Sequence, residues 1–432
     1  MNKQFSVTFF SSIQWLFFIF ANTVVVPISI GTAFELSSET TEMMMRSSLV
    51  FTGLACVFQG WLGHRFPIME GHAGLLWGVM LNLGLSASAM GMSLPQIGGG
   101  IASGILIACL LTIILVIFNG VSLLQKIFSP MVMSVYLFLL TFQLIFIFFE
   151  GMFPKTEQGT IDISGSIFSV CVVVFVALLK LKGNKIISNF SILIGLVVGW
   201  IIYDVLFFET TTKAVTSSGG GFTLFPLGIP NLEYGIIAVT CFTVLMNLSN
   251  TIASIEAGAN LLHKQTSKKQ IKNSILITTI FTIFGTGFGL VPYTPYTSSI
   301  GFLQSTRIFQ LKPFFIGGGL LTLMGLIPIF GSFLTTMPFS VGNAVLFVAY
   351  LQLFGTAFSS LNGKTFNSNT ILRLAAPVLI GVCLMKISPS VFSSLPILIQ
   401  PFITNGLTMG VLISIILERV VKWEEFEKTA GS

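Results

Sequence analysis

The chain has 432 residues, of which 53% are hydrophobic and only 8% charged, with 43 phenylalanines and a net charge of +6. Soluble domains carry about 25% charged residues, so this composition excludes an ordinary soluble enzyme, a disordered chain and a nucleic-acid binder. It specifies an all-α polytopic membrane protein whose positive excess belongs to its loops.

A bilayer core takes roughly 20 apolar residues per helix, and the apolar runs divide at charged or Pro/Gly-rich breaks into about fourteen segments. In chain order their centres lie at about residues 22, 53, 76, 107, 137, 170, 197, 246, 281, 299, 322, 348, 378 and 408. The first run, from about Phe9 to Phe34, outlasts a signal peptide and contains Gln14, Asn22 and Pro27, which reads as a retained span. Lys and Arg concentrate in cytoplasmic loops near spans. With the N-terminus inside, the inner loops hold Arg65, Lys126, Lys180, Lys182, Lys185, Lys264, Lys268, Lys269, Lys272, Arg307, Lys312, Lys364 and Arg373, and the tail adds Arg419, Lys422 and Lys428. The alternate loops hold only Arg46, Lys155, Lys213 and Lys386, beside Glu35, Glu39, Glu42, Glu157, Asp162 and Glu209. A span gained or lost midway would scramble this pattern. The expectation is fourteen spans in the plasma membrane with both termini cytoplasmic. Cys56, Cys109, Cys171, Cys241 and Cys383 each stand alone in an apolar run, which reads as core thiols without disulfide or metal.

An internal repeat follows from two matched landmarks. Ile97-Gly98-Gly99-Gly100 opens the fourth segment and Ile316-Gly317-Gly318-Gly319 the eleventh; Phe128-Ser129-Pro130 opens the fifth and Thr336-Met337-Pro338 the twelfth. A repeat of seven spans is inverted in the membrane, an arrangement common in secondary transporters. It divides the chain into a first repeat over 1–208, an extracellular linker over 209–233 and a second repeat over 234–432.

The third and tenth segments break their own hydrophobic runs, at Phe66-Pro67-Ile68-Met69-Glu70-Gly71-His72-Ala73-Gly74 and at Val291-Pro292-Tyr293-Thr294-Pro295-Tyr296-Thr297-Ser298-Ser299-Ile300-Gly301. Proline ends helix and removes a donor. Irregular backbone survives at membrane depth only where protein or a watery cavity satisfies it. Half-helices are expected to begin near Gly74 and Ser298, their free amides facing a polar ligand. Interfacial turns anchored by tyrosine are the plainer alternative.

The eighth segment carries a polar row, Asn247, Ser249, Asn250, Thr251, Ser254 and Glu256, with Asn250 and Ser254 on one helical face. A carboxylate inside a span is by default a functional-site hypothesis, so Glu256 is expected to be buried with a function, the alternative being a place near the inner end, seven residues before His263, from which it reaches the interface. Glu70 and His72 lie two apart and share a side of an extended segment; together they can carry a proton, and the equal alternative places Glu70 solvated in the inner vestibule near Arg65. No nucleophile–base constellation, phosphate loop or metal-ligand spacing is present, so neither catalysis nor a cofactor is expected.

These residues resemble the nucleobase–ascorbate transporter family, also called the nucleobase–cation symporter family, and above all its bacterial uracil and xanthine permeases. Gln14-Trp15-Leu16-Phe17 through Thr23-Val24-Val25-Val26-Pro27 is similar to the family opening Gln-His-Leu-Phe…Thr-Val-Leu-Val-Pro, with Trp15 in place of His. Ser298 through Arg307 is similar to the signature Gln/Glu-Asn-x-Gly-x-x-x-x-Thr-Arg: Gly301, Thr306 and Arg307 fit, while Ser298 and Ser299 replace the acid or amide and the Asn. The resemblance implies core and gate domains made from two inverted sets of seven spans. It implies short strands breaking the third and tenth, a nucleobase held between them, and a homodimer. It carries Asn250 onto the family's eighth-span acid, Ser254 onto a nearby His and Ser298 onto the tenth-span acid, with Ala73, Gly74, Thr297 and Ser299 around the base; a second register would put Glu256 at the eighth-span acid. Both family acids are then neutral here, which leaves Glu256, Glu70 or His72 to couple H⁺, or hydroxyls and amides to hold Na⁺. The expected function is secondary active import of a uracil- or purine-type nucleobase by alternating access. An anion transporter of the sulfate or bicarbonate kind, with the same two-times-seven architecture, is the main rival, followed by a channel or scaffold and by a membrane-embedded enzyme.

Overall fold

The computed structural model describes every residue except 1–2, 121–125, 155–159, 208–222, 335, 362–366, 393, 397–398, 422 and 424–432. Lys155, Glu157, Glu209, Lys213, Lys364, Lys422 and Lys428 of the charge pattern, and the first part of the linker, lie outside the described residues.

The first apolar run folds as α1 (Lys3–Thr23) and, after a break at Val24, α2 (Val25–Ala33). Pro27 falls in the first turn of α2, where its missing N–H is harmless. A serine cap, Ser37, opens α3 (Ser38–Trp61). The first break folds as strand β1 (Glu70–His72), followed by the half-helix α4 (Gly74–Leu85). Ser93 and Gln96 form a reciprocal capping box that starts α5 (Leu94–Ile117). Then come α6 (Pro130–Gly151), α7 (Ile163–Lys182) and α8 (Lys185–Leu206). The second half begins with α9 (Tyr234–Leu261) and α10 (Lys268–Gly287). Strand β2 (Tyr293–Pro295) and half-helix α11 (Ser298–Thr306) follow. The chain continues through α12 (Leu311–Leu326), α13 (Pro328–Leu334), α14 (Phe339–Tyr350) and α15 (Gln352–Ser359). It closes with α16 (Ser368–Lys386), α17 (Gln400–Thr404) and α18 (Gly406–Val420).

The protein is mostly helical, and each of the fourteen segment centres falls inside one of these helices. Seven helical stretches among the described residues are long and apolar enough to cross a membrane by themselves, and α4, α12 and the Phe190–Leu206 part of α8 are shorter apolar helices. This is a multi-pass membrane protein.

Two groups of helices pack internally. One contains α1, α3, α4, α5, α9, α10, α12 and the strand pair; the other contains α6, α7, α8, α14, α15, α16 and α18. In the first group α5 lies on α9 and α10, while α12 lies on α1 and α3. The glycine triplets make both approaches close. Gly98 presses against the backbone of Leu227, Gly100 against Ile236, Gly317 against Trp15 and Gly318 against the backbone of Gly53. A Cβ on Gly53 would run into the carbonyl of Gly318 and the side chain of Thr322. Overpacking of this kind costs about 1–3 kcal/mol. Gly53→Leu is therefore expected to lower the midpoint of thermal unfolding by several degrees, read by tryptophan fluorescence.

The linker gains detail here, and one expectation, that every thiol lies in the core, changes. The described part of the linker is folded against the body: Ser103 Oγ donates to Asn231 O (2.6 Å), Asn231 Nδ2 to Gln96 O (2.8 Å) and Phe225 N to Gly287 O (2.8 Å). The reason is local, since the bare Gly98–Gly100 edge of α5 offers a trough for this backbone. The thiols divide as well. Cys56 and Cys109 are buried and Cys241 half-buried, whereas Cys171 and Cys383 are exposed on the outer faces of α7 and α16. An apolar face turned to lipid and one turned to the core read alike in composition.

Candidate functional site

Proline spacing builds the site. Pro67, Pro292 and Pro295 keep both breaks extended, and the two extended pieces satisfy one another as an antiparallel pair. Glu70 faces Pro295, Gly71 faces Thr294 and His72 faces Tyr293. The pair is closed at its ends by Ala73 N donating to Pro292 O (2.7 Å) and Tyr296 N donating to Met69 O (2.8 Å). Two half-helices leave this pair, α4 from Gly74 and α11 from Ser298. Neither N-cap residue, Ala73 or Thr297, supplies a side-chain cap. On α11 the amides of Ser299 and Ile300 donate to Tyr296 O (3.1 Å) and Thr297 O (3.0 Å), so what the two half-helices present beside one another is the positive ends of their dipoles.

α9 lays a polar face along β2. Asn247 Nδ2 donates to Tyr293 O (3.4 Å) and Asn250 Nδ2 to Thr294 Oγ1 (3.5 Å). Thr251 Oγ1 shares a hydrogen bond with Thr294 Oγ1 (3.2 Å), and Ser254 Oγ shares one with Thr297 Oγ1 (2.9 Å). The long Asn250 contact leaves a half-buried amide able to exchange Thr294 for a ligand. Thr297, Ser298 and Gly301 are exposed along the adjoining edge of α11, and a Cβ on Gly301 would meet nothing within 4 Å. Across from Gly74 stands Tyr350 of α14, its hydroxyl 3.8 Å from where a Gly74 Cβ would sit. Trp77 and Phe148 brace the Tyr350 ring at centroid distances of 5.7 and 5.4 Å. These groups frame the candidate recess, with polar groups of α9, β2 and α11 on one side and the Tyr350 ring beside Gly74 on another.

The expected residues divide by what the geometry does with them. Asn250, Ser254, Thr297, Ser298, Ala73 and Gly74 come together around the strand pair. Ser299 is fully buried with its hydroxyl accepting from Met69 N (3.0 Å), so it ties β1 to α11 instead of opening to a ligand. Glu256 corrects the expectation of burial: it is exposed and makes no side-chain hydrogen bond or ion pair among the described residues. The cause is helical phase, since two residues beyond buried Ser254 is a turn of about 200°.

His72 is buried with both ring nitrogens engaged. Nδ1 lies 3.0 Å from Val291 O and Nε2 2.6 Å from Ser48 Oγ. A carbonyl only accepts, so in the neutral ring Nδ1 carries the hydrogen and Nε2 accepts from Ser48. Glu70 is fully buried behind the strand pair, against α3 and α10.

Sequence reasoning missed Tyr296, whose hydroxyl donates to His72 O (2.6 Å), and it missed Tyr350 and the polar file of Gln59, Ser274 and Thr278. A signal for the last was present, because Ser274 and Thr278 share one face of α10 at a spacing of four. Trp15 packs against Phe302 and Phe314 at 4.6 and 4.8 Å between centroids, and Phe18 stacks on Phe302 at 4.4 Å. An aromatic cluster thereby fastens α11 to α1 and α12.

Residues 6–390 match the model of a permease family, the xanthine/uracil permeases. Among curated relatives, YwdJ of Bacillus subtilis, provisionally named a purine permease, is 27% identical over 427 residues, covering 95% of each chain. The nucleobase transporter PlUacP of Paenibacillus larvae is 24% identical over 94% of this chain and 92% of its own. The uric acid transporter UacT of Escherichia coli is 22% identical over 94% of this chain and 84% of its own. Among solved structures, the transmembrane domain of the cyanobacterial bicarbonate transporter BicA has a TM-score of 0.64 at 12% identity, covering 96% of this chain and 97% of that one. The murine anion transporter Slc26a9 in its inward-facing state has a TM-score of 0.63 at 13% identity, covering 96% of this chain and 68% of that one. At such identities the structural likeness speaks for the fold alone.

Proposed function

The chain belongs to the nucleobase–ascorbate transporter family of permeases, and from that premise we propose that it imports a uracil- or purine-type nucleobase across the plasma membrane by alternating access, driven by H⁺ or Na⁺. It is a permease and not an enzyme. One observation carries the reading of the site: two uncapped half-helices start from one strand pair, at Gly74 and Ser298, with the amide of Asn250 beside them. A planar base offers a fixed edge of donors and acceptors, and an asparagine amide with helix-terminal N–H groups matches such an edge without needing a charge. The Tyr350 ring opposite suits the flat face of the same ligand.

In this reading the group containing the strand pair is the core domain, and the group built on α6 and α14 is the gate. Fourteen crossings form two inverted sets of seven, over 1–208 and 234–432, joined by an extracellular linker over 209–233. The matched packing of α5 on α9 and α12 on α1 supports this pairing of halves. Cytoplasmic termini follow from the Lys/Arg placement, and a gate-mediated homodimer completes the proposal. Movement of the core against the gate would open the recess to each side in turn.

Thermal stabilisation of the purified protein against uracil, xanthine, hypoxanthine, guanine and urate, then bicarbonate and sulfate, tests the substrate class. A ligand preferring the folded state raises stability by about 2.7 kcal/mol at a hundredfold excess over its Kd. A rise with at least one base and none with either anion is expected; the reverse pattern would leave the fold and remove the function.

A further inference from the structure

Glu70 is the one acidic side chain buried completely among the described residues, and the recess for the base does not use it. It points from β1 into a polar file between α3 and α10. Thr278 Oγ1 donates to Glu70 Oε1 (2.5 Å), Gln59 Nε2 donates to Thr278 Oγ1 (2.9 Å), and Ser274 Oγ donates to Gln59 Oε1 (2.9 Å). Cys56 Sγ lies 3.3 Å from Glu70 N and 3.4 Å from its O, which fixes the backbone. The second carboxyl oxygen, Oε2, has no partner.

Among the described residues the surroundings hold no counter-charge. From α3 the carboxyl faces Cys56 and Gln59; from α10 it faces Thr278, with Ser274 one turn behind. His72 shares its strand but is held by Ser48 and Val291, and β2 with the segment after it brings Tyr293 and Tyr296. The described side chains of α1 include no titratable group. The nearest cation on α10, Lys272, is six residues from Thr278, about 9 Å along the axis. The ion pair seen among the described residues, Arg373 with Glu418, joins α16 to α18 in the other helix group. A lone carboxylate in an apolar interior is strongly disfavoured and needs a positive partner. The lightest cation that reaches a carboxyl so enclosed is a proton.

We propose that Glu70 is the proton-binding group of this permease, set behind the strand pair and apart from the base, with the Thr278–Gln59–Ser274 file as its path to the inner face. The inference rests on the transporter reading. Loading adds one H⁺ to the carboxylate at Oε1, the oxygen on which the file ends, and gives the neutral acid with Oε2 as its C=O; unloading returns the carboxylate and passes H⁺ back along the file to water. Ser274 stands one turn from Gln270, where α10 reaches the surface and Gln270 Nε2 donates to His64 O (3.3 Å). The lysines at that end, Lys264 to Lys272, mark it as cytoplasmic. The link to the base is the strand pair itself: Gly71, beside Glu70, is registered with Thr294, and Thr294 holds Asn250 and Thr251. Neutralising Glu70 lets β1 settle between α3 and α10, and the pairing carries that to the α9 face.

The test compares wild type with Glu70→Gln, which keeps the shape of the neutral acid, in proteoliposomes and in detergent. In wild type, one unit of inward pH gradient is expected to support about tenfold accumulation of the base for a one-to-one symport. Glu70→Gln is expected to bind the base with the same thermal shift and to exchange it, yet to accumulate it no further than equilibrium. Full gradient-driven accumulation by Glu70→Gln, or accumulation in wild type that follows Na⁺ and ignores pH, would overturn the proposal. Infrared difference spectra report on the carboxyl without any base, so failure of the nucleobase reading would be seen separately. A carboxylic C=O band sensitive to pH is expected in wild type, absent from Glu70→Gln and shifted in Thr278→Val, which strips Oε1 of its donor. A band unmoved in both variants would also overturn it.

Discussion

Asn250→Ala is expected to weaken base binding about a hundredfold while leaving the protein folded. The asparagine presents a donor and an acceptor from a half-buried position, and its own contact with Thr294 is long, at 3.5 Å. Losing two hydrogen bonds to a buried ligand, each worth about 1–1.5 kcal/mol, gives an effect of that size. The fold loses little, because Thr294 keeps its hydrogen bond with Thr251 and α9 keeps its Ser254–Thr297 contact. Base-dependent thermal shift and initial uptake rate would fall together, while the melting point without ligand would stay near that of wild type. Unchanged affinity would remove Asn250 from the site and leave the helix-terminal amides as the remaining recognition element.

Arg373→Ala is expected to produce the largest loss of stability. Its guanidinium holds Glu418 in a two-point fork, Nε to Oε1 at 2.8 Å and Nη2 to Oε2 at 2.7 Å, with side-chain exposures of 8% and 13%. The Trp423 ring covers the guanidinium at 5.1 Å. Removing one partner of such a pair strands the other charge and costs about 3–5 kcal/mol. The pair joins α16 to α18, so the loss would separate two helices of the proposed gate. The double variant Arg373→Met with Glu418→Leu is expected to recover most of the deficit, since the penalty comes from the stranded charge. A single variant that melts with wild type would show that water or another cation reaches Glu418.

The periodicity and the breaks made much of the scaffold legible. Pro67 and Pro292 mark where helix stops, and α4 and α11 begin at the expected Gly74 and Ser298 because a chain freed from the strand pair can resume helix only there. The glycine triplets gave the right elements for close packing, though not their partners: Gly98 takes the linker backbone and Gly318 takes α3. Depth was much less legible. Glu256 lies in a polar row and faces outward, while Glu70 lies in a break and is wholly enclosed, because helical phase decides the first and tertiary packing the second. The donor to Glu70 is 208 residues away along the chain, and no local pattern links Thr278 to it. Tyr350 escaped for the same reason, since it belongs to the opposite helix group and meets Gly74 only in the assembled protein.

Uptake of radiolabelled nucleobases into proteoliposomes holding only this protein tests the central claim most directly. Accumulation of at least one base above its external concentration is expected, collapsing when the ion gradient is dissipated and competed by that base but not by sulfate or bicarbonate. Flux of an anion with no movement of any base, or equilibration of a base that no gradient can drive further, would contradict it.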